Sequence, residues 1–140
     1  MSEETAKDLM SPGAECIPAH ETLDRAAQLM RNLNVGALPV CGSDDRLKGI
    51  ITDRDIVVKC VAMGKDPSTM TAAEMAGELV WVSADATVEE TLHKMEEHRI
   101  RRLPVIENGR IAGMISEADL ARHLPDDKLA EFVHSVYAGN

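Results

Sequence analysis

Gly49-Ile50-Ile51-Thr52-Asp53-Arg54-Asp55 returns 64 residues later as Gly113-Met114-Ile115-Ser116-Glu117-Ala118-Asp119, and that return decides the fold. Outward from it, Leu38-Pro39-Val40 reappears as Leu103-Pro104-Val105 at an offset of 65. The same shift lays Cys16-Ile17 on Trp81-Val82, Thr22-Leu23 on Thr87-Val88, Met30 on Met95 and Val35 on Ile100. Thr5-Ala6-Lys7-Asp8 meets Thr71-Ala72-Ala73-Glu74 at an offset of 66. Offsets that drift by one residue put the length changes in loops, as in two copies of one unit that keep their elements and vary their turns.

Each copy reads in the same order. A short apolar strand, Cys16 to Pro18 or Val80 to Ser83, leads to a helix over Thr22 to Leu33 or Thr87 to His98. The first helix is apolar at Leu23, Ala26, Ala27, Met30 and Leu33, and the second opens with the capping-box pattern Thr87-Val88-Glu89-Glu90. A strand over Ala37 to Cys41 or Leu103 to Ile106 then turns through Gly42-Ser43-Asp44-Asp45 or Glu107-Asn108-Gly109. A third strand, Leu47 to Thr52 or Ile111 to Ser116, runs into a second helix starting near Asp53 or Glu117. The predicted fold class is α/β (α+β): two β-α-β-β-α repeats related by a pseudo-two-fold axis, with right-handed crossovers. Residues 1–66 form the first repeat with its N-terminal segment and 67–124 the second. Residues 125–140 are an amphipathic C-terminal helix with the stripe Leu129, Phe132, Val133, Val136 and Tyr137.

Composition narrows the function. In 140 residues there are 15 Lys and Arg against 24 Asp and Glu, a formal charge of −9, the wrong sign for holding a phosphate backbone or an anionic membrane. Aromatic residues are 2% of the chain, too few for base-stacking platforms. The 44% apolar content supplies a core without staples and argues against disorder. Met10, Met30, Met75, Met95 and Met114 read as gap-filling core. The start Met1-Ser2-Glu3-Glu4 is acidic, and no run approaches the ~20 apolar residues of a spanning helix, so a cytoplasmic protein is expected.

The repeated motif has a chemistry of its own. A strand that ends in Thr52 or Ser116 at a helix N-terminus sets a hydroxyl beside unpaired N–H groups, where the helix dipole favours an anion such as phosphate. Three residues on, Asp55 or Asp119 lies in the first turn, where its carboxylate can accept the vicinal hydroxyls of a ribose. The same residue types are also what a helix start uses for capping, so both uses stand at this point.

With these residues in view, the chain resembles a tandem of cystathionine-β-synthase (CBS) domains, a Bateman module, over roughly residues 5 to 124. Each Gly-apolar-x-Thr/Ser-x-x-Asp motif follows an apolar-Pro-apolar strand by about ten residues. The phrases Gly36-Ala37-Leu38-Pro39-Val40-Cys41-Gly42, Thr52-Asp53-Arg54-Asp55-Ile56-Val57 and Glu117-Ala118-Asp119-Leu120-Ala121-Arg122-His123-Leu124 are similar to those of stand-alone actinobacterial CBS-pair proteins. The resemblance implies a non-enzymatic sensor that binds an adenine nucleotide (AMP, ADP, ATP or S-adenosylmethionine) in clefts between the repeats. Thr52, Asp55, Ser116 and Asp119 would then lie on the ligand. Arg101 and Arg102, where the first copy has Gly36-Ala37, would meet its phosphate through a bidentate fork. Ile17, Val40, Val82 and Val105 are expected to bed the base, with Trp81 the nearest aromatic. Arg101 and Arg102 equally suit a solvated corner paired with Glu96, Glu97 or Glu107.

The resemblance further implies a homodimer that signals in trans to an unidentified protein partner, with no required cofactor. Cysteine and histidine spacing shows no nucleophile or zinc-ligand signature, so no catalytic residue and no metal are expected. Cys16 and Cys41 lie on strands flanking one crossover and are expected as neighbours in the sheet, where a disulfide is conceivable if their Cα atoms come within about 7 Å, although reduced thiols are the expectation in cytoplasm. The alternatives are a ligand-free, stress-related dimeric scaffold whose clefts are filled by its own side chains, stabilised by that disulfide, and a small enzyme using Cys or His.

Overall fold

A computed structural model describes residues 4–138. In chain order the first half contains α1 (Ala6–Leu9), β1 (Ser11–Pro12), β2 (Ile17–Pro18), α2 (Leu23–Leu33), β3 (Ala37–Cys41), β4 (Leu47–Thr52) and α3 (Asp53–Asp55), which continues as a π-helical stretch, Ile56–Val61. The second contains α4 (Ala72–Met75), β5 (Val82–Ser83), α5 (Val88–His98), β6 (Arg102–Glu107), β7 (Arg110–Ser116), α6 (Glu117–His123) and α7 (Asp126–Tyr137). The mixed α+β class and both β-α-β-β-α runs are those the sequence predicts.

The described residues fall into two compact units: Ala14–Leu79, and a second that joins the residues up to Gly13 to those from Val80 onward. These units cut across the sequential division at 1–66, 67–124 and 125–140, because each short opening helix serves the other half of the chain. Ahead of α1, Thr5 bridges to Thr87, and the Ala6 and Lys7 N–H groups donate to the carbonyls of Ala86 (2.9 Å) and Ala84 (3.0 Å). At α4, Thr71 bridges to Thr22, and the Ala72 and Ala73 N–H groups donate to the carbonyls of Glu21 (2.8 Å) and Ala19 (2.9 Å). Helix α7 is not a separate body either. Its Phe132 (0% exposed) and Val136 complete the second unit's core with Leu9, Leu92, Met95, Leu103, Ile115 and Leu120, while Val133 and Tyr137 stay exposed.

In the first unit β2, β3 and β4 form a sheet in that order, β2–β3 parallel and β3–β4 antiparallel. Every residue of β3 is buried, and α2 covers the sheet with Leu23, Ala26 and Met30 at helical spacing. Pro39 lies just outside the stretch that β2 pairs, Val40 and Cys41, so its missing N–H costs that ladder nothing. The second unit repeats this with β5, β6 and β7 and adds β1 as an outer strand on β7. Its hairpin closes through Asn108 and Gly109, both at positive φ (54° and 78°), the backbone that a two-residue reversal between twisted strands requires.

Cys16 and Cys41 are joined by a disulfide, with Cα atoms 5.6 Å apart, which corrects the expectation of reduced thiols at this pair. The physical reason is the parallel pairing of Pro18 with Cys41, which brings the residue entering β2 to the end of β3. Cys60 is a free, buried thiol. Among the described residues no helix is long and apolar enough to cross a membrane.

Candidate functional site

In the first unit the motif sits where β4 passes directly into α3. The Thr52 hydroxyl accepts the Asp55 N–H at 3.0 Å, and Asp55 Oδ2 accepts the Thr52 N–H at 3.0 Å, a reciprocal capping box. The other carboxylate oxygen meets Lys59 Nζ at 3.2 Å; the Asp55 side chain is 20% exposed and Lys59 is half out in solvent. Beyond Asp55 the helix widens to π geometry, with the Ala62 N–H reaching the Val57 carbonyl at 2.8 Å. Ile56 and Cys60 thereby point into the core and Val57, Val58 and Val61 outward. Gly49, which opens the motif, packs against the chain after α4: a Cβ there would stand 2.9 Å from the Gly77 carbonyl.

The second motif caps its helix in the same way but differs in what surrounds it. Asp119 Oδ2 accepts the Ser116 N–H at 2.8 Å and the Ser116 hydroxyl at 3.1 Å. Its Oδ1 accepts the Ser11 hydroxyl at 2.8 Å, from β1, and the Arg122 guanidinium one turn along α6. The residue is 3% exposed. Arg102 stands opposite Ser116 in the β6–β7 register, half-buried. Arg101 points elsewhere: it donates to Tyr137 Oη at 3.1 Å and lies 5.6 Å from the centre of that ring. Tyr137 Oη in turn donates to Glu117 at 2.9 Å. Glu107, offered as a partner for the arginines, pairs with Lys7 at 3.1 Å.

The second unit thus gathers Ser116, Asp119 and Arg102 and ties Arg101 to the C-terminal helix. Thr52 and Asp55 belong to the first unit. Lys59, Ser11, Arg122 and Tyr137 are not among the candidate site residues read from the sequence, where Tyr137 appears only in the C-terminal stripe and Arg122 only in a family-like phrase, although extending the Thr5–Asp8 match by three positions lays Ser11 on Gly77. The apolar bed for a base is corrected: Ile17, Val40, Val82 and Val105 are between 0% and 6% exposed and belong to the two cores. Trp81 is 43% exposed. A cavity of about 470 Å³ in the second unit, lined by Leu9, Val88, Leu92 and Leu124 with His123 and Lys128, contains none of the motif residues.

A duplicated small α+β unit with a capped Thr/Ser-x-x-Asp at each strand-to-helix junction is the frame of a tandem regulatory module. The chain belongs to the CBS domain family, which matches residues 6–61 and 71–126, and it is a CBS-pair regulatory module. It is 51% identical over 133 residues to Hypoxic response protein 1 of Mycobacterium tuberculosis, covering 94% of this chain and 93% of that one. The crystal structure of Hypoxic Response Protein I with two coordinated zinc ions superposes with a TM-score of 0.80 at 55% identity, over 86% of this chain and 99% of that one. CBS domain protein PAE2072 from Pyrobaculum aerophilum, complexed with AMP, shares the fold at a TM-score of 0.78 and 23% identity, over 92% and 98% of the two chains.

Proposed function

We propose that this chain is a non-enzymatic regulatory module that binds an adenine nucleotide, AMP, ADP, ATP or S-adenosylmethionine, and passes the signal in trans as a homodimer in the cytoplasm. The observation that carries this reading is Asp55. It is a carboxylate fixed by the Thr52 cap at a strand-to-helix junction, with one oxygen facing a half-exposed lysine. Vicinal ribose hydroxyls find there an acceptor that is already oriented, so binding costs little reorganisation. In the second unit Arg102, opposite Ser116, is a guanidinium of the kind that suits phosphate. PAE2072 in complex with AMP shows that a protein of this fold takes such a ligand; at its level of identity it lends the fold alone, and the nucleotide reading rests on the residues. A ligand then acts only through its different affinities for two states of the module.

Two zinc ions are coordinated in the crystal structure of Hypoxic Response Protein I, and among the described residues of this chain no group of three or more His, Cys, Asp or Glu side chains is placed to hold a metal ion. One observation favours the scaffold reading instead: Asp119 is already filled by the protein's own Ser11 and Arg122. Calorimetry and thermal shift with the four nucleotides separate the two. Heat and a raised Tm for at least one support the sensor; neither for any of them leaves the scaffold.

A further inference from the structure

We infer that the two motifs are not equivalent: Ser11 and Arg122 latch Asp119 shut, and nucleotide engages the chain through Asp55 alone. This deepens the nucleotide reading and rests on it. An ionised carboxylate offers roughly four lone-pair directions. At Asp119 they are spoken for by the Ser116 N–H, the Ser116 and Ser11 hydroxyls and the Arg122 guanidinium, and the group is 3% exposed. A ribose hydroxyl would have to reach a carboxylate that is itself buried and displace either the Ser11 hydroxyl or the charge-assisted bond from Arg122, whose side chain is 61% exposed. At Asp55 the same carboxylate holds the Thr52 N–H and an exposed ammonium, and is open to solvent on one side.

The difference traces to two positions. Ser11 pairs with Met114 on β7, and the Gly77 N–H donates to the carbonyl of Ile50 on β4 at 3.1 Å. Met114 and Ile50 are the same position of the repeat, so Gly77 stands where Ser11 does, without a hydroxyl. The counterpart of Arg122 is Val58, which has no charge to offer. A second tie reinforces the latch: Tyr137 holds Arg101 and Glu117, and the first repeat has Gly36 in place of that arginine. A Cβ at Gly77 meets nothing within 4 Å, so a serine fits there.

The test is calorimetric titration of the full chain with AMP, ADP, ATP and S-adenosylmethionine. The wild type takes up about one equivalent of the ligand that binds; Gly77→Ser and Asp55→Asn each weaken it by roughly tenfold or more, as loss of a bond to a charged group does. The double variant Ser11→Gly/Arg122→Ala, which opens Asp119 without touching its helix cap, takes up a second equivalent. Two equivalents on the wild type, or full affinity in Asp55→Asn, would overturn the inference while leaving nucleotide binding intact. No heat from the wild type or the double variant with any of the four would overturn the nucleotide reading and the inference together.

Discussion

Asp55 and Asp119 hold one position of the repeat, yet they do different work. Both cap a helix, but Asp119 also binds the protein to itself across 108 residues of sequence, through Ser11. Asp119→Ala strands the Ser11 hydroxyl and removes the cap at a buried site, and is expected to cost about 2–3 kcal/mol; Asp55→Ala loses little more than a cap, about 1 kcal/mol. Urea unfolding of the two variants checks the ranking, and equal costs would count against the latch. Asp66 makes a different prediction. Its carboxylate accepts the Ser68 N–H (2.9 Å) and the Ser68 hydroxyl (2.8 Å), and those bonds hold its pKa below the usual aspartate value. A carboxylate depressed in the folded state stabilises above its unfolded pKa, and that stability is lost as pH falls through the folded value. Asp66→Asn is therefore expected to show a shallower fall in urea midpoint than the wild type as the solution is acidified below the usual aspartate range.

At the scale of the element, the long pieces were legible because their patterns are strong. Helices α2 and α5 announce themselves by apolar spacing and N-terminal threonines, and β3 and β4 by short apolar runs between turn formers. The four-residue helices α1 and α4 carry too little periodicity to be seen, and their signal was the recurring Thr-x-x-Asp/Glu cap at an offset of 66. Which half each of them serves is a matter of long-range pairing, which no local pattern records. The π-helical stretch after Asp55 escaped for the same reason, since Ile56-Val57-Val58 reads equally as plain helix. The candidate site divides likewise: Thr52, Asp55, Ser116 and Asp119 follow from the repeat, whereas Ser11 and Tyr137 reach the second motif from opposite ends of the chain. The Cys16–Cys41 link closes a loop of sequence separation 25, and tethering such a loop removes about 3.5 kcal/mol of unfolded-chain entropy in the loop-closure account. Reduction, or Cys16→Ser/Cys41→Ser, is expected to lower unfolding free energy by that amount in urea titrations run with and without reductant. An unchanged midpoint would mean that strand pairing alone holds β2 to β3.

For the whole molecule the question is what a chain carrying a formal charge of −9 does with exposed aliphatic surface. Long-range repulsion opposes self-association, so an apolar contact is a favourable way to hold a dimer. Val57, Val61 and Met63 are 58%, 57% and 66% exposed, clustered with Val58 along the turns that follow the first motif. The corresponding positions of the second repeat are Ala121 for Val57 and Arg122 for Val58, so this particular patch has no counterpart there. A second copy meeting the first through this patch buries it by symmetry, the arrangement that a self-complementary face favours. On this argument the wild type is expected to sediment at twice its chain mass, and Val57→Asp/Val61→Asp as a monomer. Because both side chains are exposed within the chain, the variant is expected to keep its unfolding free energy within about 0.5 kcal/mol, extrapolated to low protein concentration. A wild type that stays monomeric at tens of micromolar, or a variant that still dimerises, would assign the patch to another partner and remove self-association from the proposed mechanism.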